Sequence, residues 1–273
     1  MVPIVMFFIA HGVLLPATKA LAEPADWGFF VQRGRAFEPL RADPREGRFR
    51  FGVLYGNDGF FEDLAWGGDL GLLEINFPGR GRLTIGGRGV VTGRFDITSE
   101  SFDLMNTDFI GGLAAGLTMG AFSAELFFYH QSSHLGDELL ERGDRDRIDL
   151  GFEEIRLLAG WNWRFLRLYG GAKVTAHGYP AELTGRTVIQ AGAEVTFAPG
   201  NVPLYTALDV QGRIDDPLLR SACLQAGIGL GPADSERQLQ YVFLELFTGR
   251  SAMGQFYADP EQHVLLGISY LFQ

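Results

Sequence analysis

Arg82-Leu83-Thr84-Ile85-Gly86-Gly87-Arg88-Gly89-Val90-Val91-Thr92-Gly93-Arg94-Phe95-Asp96-Ile97 carries the clearest alternation of polar and apolar residues in the chain. Its even positions carry Arg82, Thr84, Arg88, Thr92, Arg94 and Asp96, and its odd positions carry Leu83, Ile85, Val91, Phe95 and Ile97. Period two belongs to a β-strand, whose successive side chains leave opposite faces, so one face of this strand is wet and the other oily. The embedded Gly86-Gly87-Arg88-Gly89 has no helix after it and is therefore no phosphate-binding loop.

The same split recurs along the chain. Arg167, Tyr169, Lys173, Thr175 and His177 oppose Leu168, Ala172, Val174 and Ala176; Gln190, Glu194 and Thr196 oppose Ile189, Ala191, Ala193, Val195 and Phe197; Asp209, Gln211 and Arg213 oppose Leu204, Leu208 and Val210. Short turns at Pro78-Gly79-Arg80-Gly81, Met119-Gly120, Trp163-Arg164, Pro199-Gly200-Asn201 and Gly231-Pro232-Ala233-Asp234 alternate with longer connections near 57–63, 132–147, 178–183 and 249–261. Alternating turn length is the habit of a barrel with one trimmed and one elaborated rim, and the segments number about twelve. A closed sheet of that size encloses a lumen too wide for oily side chains to fill, so the oily face is expected to meet lipid. The fold class is all-β, a transmembrane antiparallel β-barrel of about twelve strands.

Composition narrows the setting. The chain has 273 residues, a formal net charge of −10 and the single cysteine Cys223. Excess acid argues against the nucleic-acid backbone as a partner, and one cysteine cannot form an internal disulfide. No internal apolar run is long enough for a membrane helix. Residues 1–22 read as a signal peptide, with an apolar core from Pro3 to Leu15 and Ala20-Leu21-Ala22 before the cut. Residues 23–47 lack periodicity and read as a periplasmic N-terminal segment or plug, and 48–273 form the barrel. The expected location is the outer membrane of a Gram-negative bacterium, as monomer or homodimer. Val264, Leu266, Ile268, Tyr270 and Phe272 alternate up to the penultimate residue. That pattern resembles the C-terminal signature which outer-membrane barrels present to their insertion machinery.

Hydroxyl, imidazole and carboxylate groups concentrate in Tyr129-His130-Gln131-Ser132-Ser133-His134-Leu135-Gly136-Asp137-Glu138. Ser123 and Glu125 mark the lumen parity of this strand, which turns His130 and Ser132 toward lipid. On the next strand Arg156, Gly160 and Asn162 share the wet parity, and Glu153 falls with the oily Ile155, Leu157 and Ala159. Counted up from the short turns at Gly120 and Arg164, His130 and Glu153 each lie about ten residues along their strands and reach similar heights near the outer rim. An imidazole between a hydroxyl and a carboxylate activates serine, because the base takes the hydroxyl proton and the acid fixes its tautomer. Side chains two apart on a strand share a face and lie within about 7 Å, which suits His130 and Ser132.

Other readings of the same residues stand beside this one. Ser, His and Asp at a rim often form hydrogen-bond networks that hold a loop. His130, His134, Asp137 and Glu138 carry metal-ligating groups, and the acidic loop through Glu141, Asp144, Asp146 and Asp149 has the oxygen donors calcium prefers. His177 and His263 stand alone and read as interfacial or solvated. Lumen-parity Arg82, Arg88, Arg94, Arg156 and Arg167 suit an anion-selective pore, or a charge network with Asp96, Glu125 and Asp209 that plugs a narrow lumen.

The run His-Gln-Ser-Ser-His-Leu-Gly-Asp-Glu, with Asn106-Thr107-Asp108 before it and Phe152-Glu153 after it, resembles a bacterial family designated domain of unknown function 1207. More distantly, Tyr129-His130-Gln131-Ser132 resembles the His-x-Ser element of outer-membrane phospholipase A and lipid A deacylase barrels. That resemblance implies Ser132 as nucleophile and His130 as base, acting on acyl esters of outer-membrane lipids. By the spacing in those families the third member falls on Asp144, whereas register favours Glu153. Both families carry Asn after the serine, where this chain has Ser133. The non-enzymatic alternative is an envelope barrel or narrow pore in which the motif is structural or binds a divalent cation.

Overall fold

Each alternating segment forms a strand that pairs antiparallel with its neighbours in the chain. A computed structural model describes residues 25–29, 35–56, 59–214, 219–231 and 238–272; the expected signal peptide and Gln273 lie outside these residues. The strands are β1 (Asp26–Phe29), β2 (Phe49–Gly56), β3 (Gly59–Phe77), β4 (Gly81–Asp96), β5 (Asp103–Met119), β6 (Phe122–Leu135) and β7 (Leu150–Trp163). They continue with β8 (Leu166–Tyr179), β9 (Thr187–Phe197), β10 (Leu204–Arg213), β11 (Leu219–Gly229), β12 (Gln238–Arg250) and β13 (Pro260–Phe272). Strands β2 to β13 pair in sequence, and β13 returns to β2 through His263↔Gly56 to Tyr270↔Phe49, closing a barrel of twelve strands. Closure removes the unpaired edges that an open sheet would present.

Side-chain parity is inverted relative to a soluble barrel. Ile85, Val91, Phe109, Leu113, Leu157, Ile189 and Leu266 are exposed on the outer wall, and Arg88, Glu125, Arg156, Arg167, Gln190 and Glu245 are buried inside it. An oily exterior around a polar interior is the arrangement a hydrocarbon surround selects. Inside, charges meet in matched sets. Glu125 accepts from Arg88 at 3.1 and 2.7 Å and from Arg156 at 2.8 Å, and Arg50 donates to Glu245 at 2.7 Å.

The lumen is occupied by the chain itself. Phe37, Leu40, Ala42, Asp43, Glu46 and Arg48 are buried within it. This segment makes no strand of its own, so wall side chains satisfy its backbone. Thr84 accepts from the Ala36 amide, Thr118 donates to the Ala36 carbonyl, and Arg167 donates to the carbonyls of Glu38 and Pro39. Asp43 accepts from Arg156 at 3.2 Å and Gln190 at 3.1 Å, and Glu46 pairs with Arg35 at 2.8 Å.

The first lane of the wall is built from two pieces. Strand β2 covers the upper part of β3 (Arg50↔Ala65 to Gly56↔Gly59), and β1 covers the lower part of the same edge (Asp26↔Asn76 to Phe29↔Leu73). Of the chain between them, residues 35–48 lie in the lumen.

Two expected connections are shorter than their sequence suggests. The one placed near 57–63 is cut short, because β2 runs to Gly56 and β3 begins at Gly59, with those two residues paired. The loop expected from Ser132 begins at Gly136, because β6 continues to Leu135. Polar residues on both faces conceal the alternation there: Ser133 points inward and is buried, while His134 points outward.

Candidate functional site

Near the long-connection rim, β6 sends Phe128, His130, Ser132 and His134 outward and buries Tyr129, Gln131, Ser133 and Leu135. Pairing sets one outward row directly across four strands: Gly111 of β5, His130 of β6, Glu153 of β7 and His177 of β8. His130 Nδ1 lies 2.9 Å from Glu153 Oε1, and His177 Nδ1 lies 2.9 Å from Glu153 Oε2. A carboxylate only accepts, so each imidazole donates from Nδ1, and a neutral His130 carries its lone pair on Nε2.

Ser132 stands one row higher on the same face, opposite Phe109 of β5 and Gly151 of β7. Glycine at 151 leaves the space between the hydroxyl and the imidazole uncrowded; a Cβ there would sit 3.7 Å from His130 Cε1. The hydroxyl is not hydrogen-bonded to His130 in this structure. In unliganded sites such contacts are commonly long and tighten only around substrate. Ser133, by contrast, points into the lumen and donates to Asn106 Oδ1 at 3.1 Å.

His177 corrects the sequence reading in two respects. Parity grouped it with the lumen residues Lys173 and Thr175, and it was expected to stand alone. Glu153 opposes His177 while Glu154 opposes Thr175, so Ala176 is an extra residue in β8. This bulge shifts the parity above it and brings His177 onto the outer face, 79% exposed and bonded to Glu153. His263 is likewise neither solvated nor alone. It is buried in the lumen between Glu261 at 2.6 Å and Glu245 at 3.2 Å, and stacks on Phe247 at 5.0 Å.

The remaining candidates disperse. Asp144 accepts from Arg142 at 2.7 Å, and Arg142 also reaches Asp103. Asp137 and Glu138 occupy the first turn of the short helix α1 (Asp137–Arg142), and His134 lies edge-on to Phe109 at 5.7 Å. Among the described residues, no three His, Cys, Asp or Glu side chains are grouped so as to hold a metal ion.

The inward half of the motif forms a loop-holding hydrogen-bond network of the kind the sequence offers as an alternative, with Asn106 and Gln255 as members that sequence reasoning missed. Asp108 accepts from the Gly254 amide at 2.9 Å and from Asn106 Nδ2 at 3.0 Å. The Asn106 carbonyl oxygen accepts from the Gln255 amide at 2.9 Å, and Gln255 Nε2 donates to Ser133 O and Ile148 O. Together these clamp the connection between β12 and β13 over the barrel mouth. Polar residues of lumen parity at a rim, Asn106, Asp108 and Ser133, were the available signal.

Closed sheet and inverted parity define a transmembrane barrel of twelve strands, a fold that resembles solved outer-membrane proteins. Outer membrane phospholipase A from Escherichia coli is similar in structure, with a TM-score of 0.53 at 10% sequence identity, covering 84% of this chain and 93% of that one. The calcium-bound dimer of outer membrane phospholipase from Salmonella typhi gives 0.56 at 10% identity, covering 85% and 93%. At that identity the likeness is one of fold. In sequence, the chain belongs to the family described as "Protein of unknown function (DUF1207)", whose model matches residues 14–272. No curated protein matches it.

Proposed function

We propose that this protein is a lipid acyl-ester hydrolase of the Gram-negative outer membrane, with Ser132 as nucleophile, His130 as general base and Glu153 as the acid that orients it. The observation that carries the reading is the 2.9 Å contact of His130 Nδ1 with Glu153 on the outward face, with Ser132 next along that face. In this arrangement the Ser132 oxygen attacks the acyl carbonyl and its proton passes to His130 Nε2. The imidazolium, stabilised by Glu153, returns the proton to the departing alcohol, and water activated by His130 then releases the fatty acid. An outward site gives a membrane ester access without extraction from the bilayer. Glu153 rather than Asp144 is assigned the third role, because Asp144 is engaged by Arg142. The short-turn rim faces the periplasm in this reading, and β13 is the strand offered to the insertion machinery.

The narrow-pore alternative is disfavoured by the Asp43 and Glu46 pairs that fill the bore. The test is hydrolysis of phospholipid and of lipopolysaccharide by detergent-folded protein, with and without calcium. Wild type is expected to release fatty acid and Ser132→Ala none, with both keeping a heat-modifiable gel mobility. A wild type that cleaves neither lipid under either condition ends the hydrolase reading.

A further inference from the structure

We infer that His177 is a positioning residue for this site, holding the Glu153 carboxylate in the orientation that presents Oε1 to His130. The inference rests on the hydrolase reading above and adds a fourth member to its machinery.

Three observations carry it. First, the two carboxylate oxygens are divided between two imidazoles at equal length, 2.9 Å to His130 on Oε1 and 2.9 Å to His177 on Oε2. Second, the three residues are directly opposed across β6, β7 and β8, so the line they form lies along the hydrogen-bonding direction of the sheet rather than depending on long side-chain excursions. Third, the fold departs from regularity to achieve this. Were Ala176 paired in regular alternation, period two would send residue 177 into the lumen with Thr175, and Glu153 would lose its second partner. A bulge interrupts the ladder and leaves a residue unpaired, and bulges are the device by which strands re-aim a side chain beside a site.

The physical need is clear. Glu153 is 34% exposed on the outer wall, and its neighbours on that face of β7, Gly151 and Ile155, offer it no hydrogen bond. A glutamate held by one bond keeps several rotamers available, and each one that withdraws Oε1 frees His130 to adopt the tautomer with Nδ1 unprotonated, which cannot accept the serine proton at Nε2. A second donor on Oε2 removes those rotamers at the cost of one side chain's freedom. His177 reaches neither Ser132 nor the scissile ester in this scheme; it acts through Glu153.

The test compares His177→Phe, which keeps a ring and removes the donor, with His177→Gln, which restores an N–H. Detergent-folded proteins are assayed on a phospholipid with resolved kcat and KM, and imidazole nitrogen shifts report the His130 tautomer. His177→Phe is expected to lower kcat about tenfold with KM unchanged, the pattern of a group that matters only in the transition state. The same variant is expected to mix the His130 tautomers, and His177→Gln to recover most of both. A His177→Phe protein with wild-type kcat, or one whose loss is all in KM, or one whose His130 spectrum is unchanged, overturns the inference while Ser132→Ala still reports on the hydrolase reading. Inactive wild type removes that reading and the catalytic role of His177 together, and the spectra then distinguish a structural clamp from no clamp.

Discussion

Glu153 occupies the oily side of its strand, between Gly151 and Ile155, where an ionised group needs a compensating interaction. It finds two imidazoles rather than a lysine or arginine, so on the hydrolase reading its charge stays available to a base that becomes cationic during turnover. Glu153→Gln keeps the shape but presents an amide that cannot reproduce both contacts as an acceptor. On the hydrolase reading it is expected to lower kcat by about 10²–10⁴, the span typical of general acid and base groups, as measured by fatty-acid release at saturating lipid. Asp144→Asn, which touches only the Arg142 contact, is expected to leave that rate within about twofold, since isolated surface ion pairs contribute little. The outward placement of His130, Ser132 and Glu153 was legible because strict alternation fixes which side of the wall a residue leaves. His177 was not, because one inserted residue reverses parity without any signature in Thr175-Ala176-His177 itself.

Strand β6 divides by face: His130, Ser132 and His134 leave the outer wall, and the inward residues Gln131, Ser133 and Leu135 are buried at the mouth of the barrel. Asp108, buried among Asn106, Ser133 and the Gly254 amide, anchors that inner face. Asp108→Ala leaves the amide and the Asn106 side chain without their acceptor and is expected to cost about 1–3 kcal/mol locally. The readout is faster limited proteolysis within 251–259 while the barrel keeps its heat-modifiable mobility. Gly254 tolerates no side chain here, because an added Cβ would come within 2.4 Å of the Ser133 hydroxyl. Gly254→Ala is therefore expected to loosen the same connection. Element positions followed from period two wherever one face was uniformly oily, as in β4. The ends of β3 and β6 did not, because Phe60 with Phe61 and Ser132 with Ser133 place like residues on both faces.

Across the whole molecule, the bore holds a buried mesh of paired charges and a length of chain, and the outer wall meets hydrocarbon. Glu46 faces Arg35 at 2.8 Å, Arg88 at 3.9 Å and Arg156 at 4.0 Å. Glu46→Gln leaves these cations under-compensated and is expected to destabilise the barrel by about 3–5 kcal/mol, seen as a lower temperature for the shift in gel mobility. Wild type in a planar bilayer is expected to pass no steady current. The sequence announced the barrel and the acid and arginine content of its interior, since both are properties of parity. It left open whether 23–47 lay below the barrel or within it, because a segment satisfied by side chains from six or more distant strands has no periodicity of its own to read.

The divided first lane has a mechanical consequence. Phe29 belongs to the wall on one side of the lumenal segment and Phe49 on the other, so the filling is stitched into the cylinder at both ends. A cork can be pushed from a bottle, but this one is a loop of the glass. Drawing it out therefore means breaking rungs of the wall, the four that hold β1 being the fewest of any strand pair among the described residues.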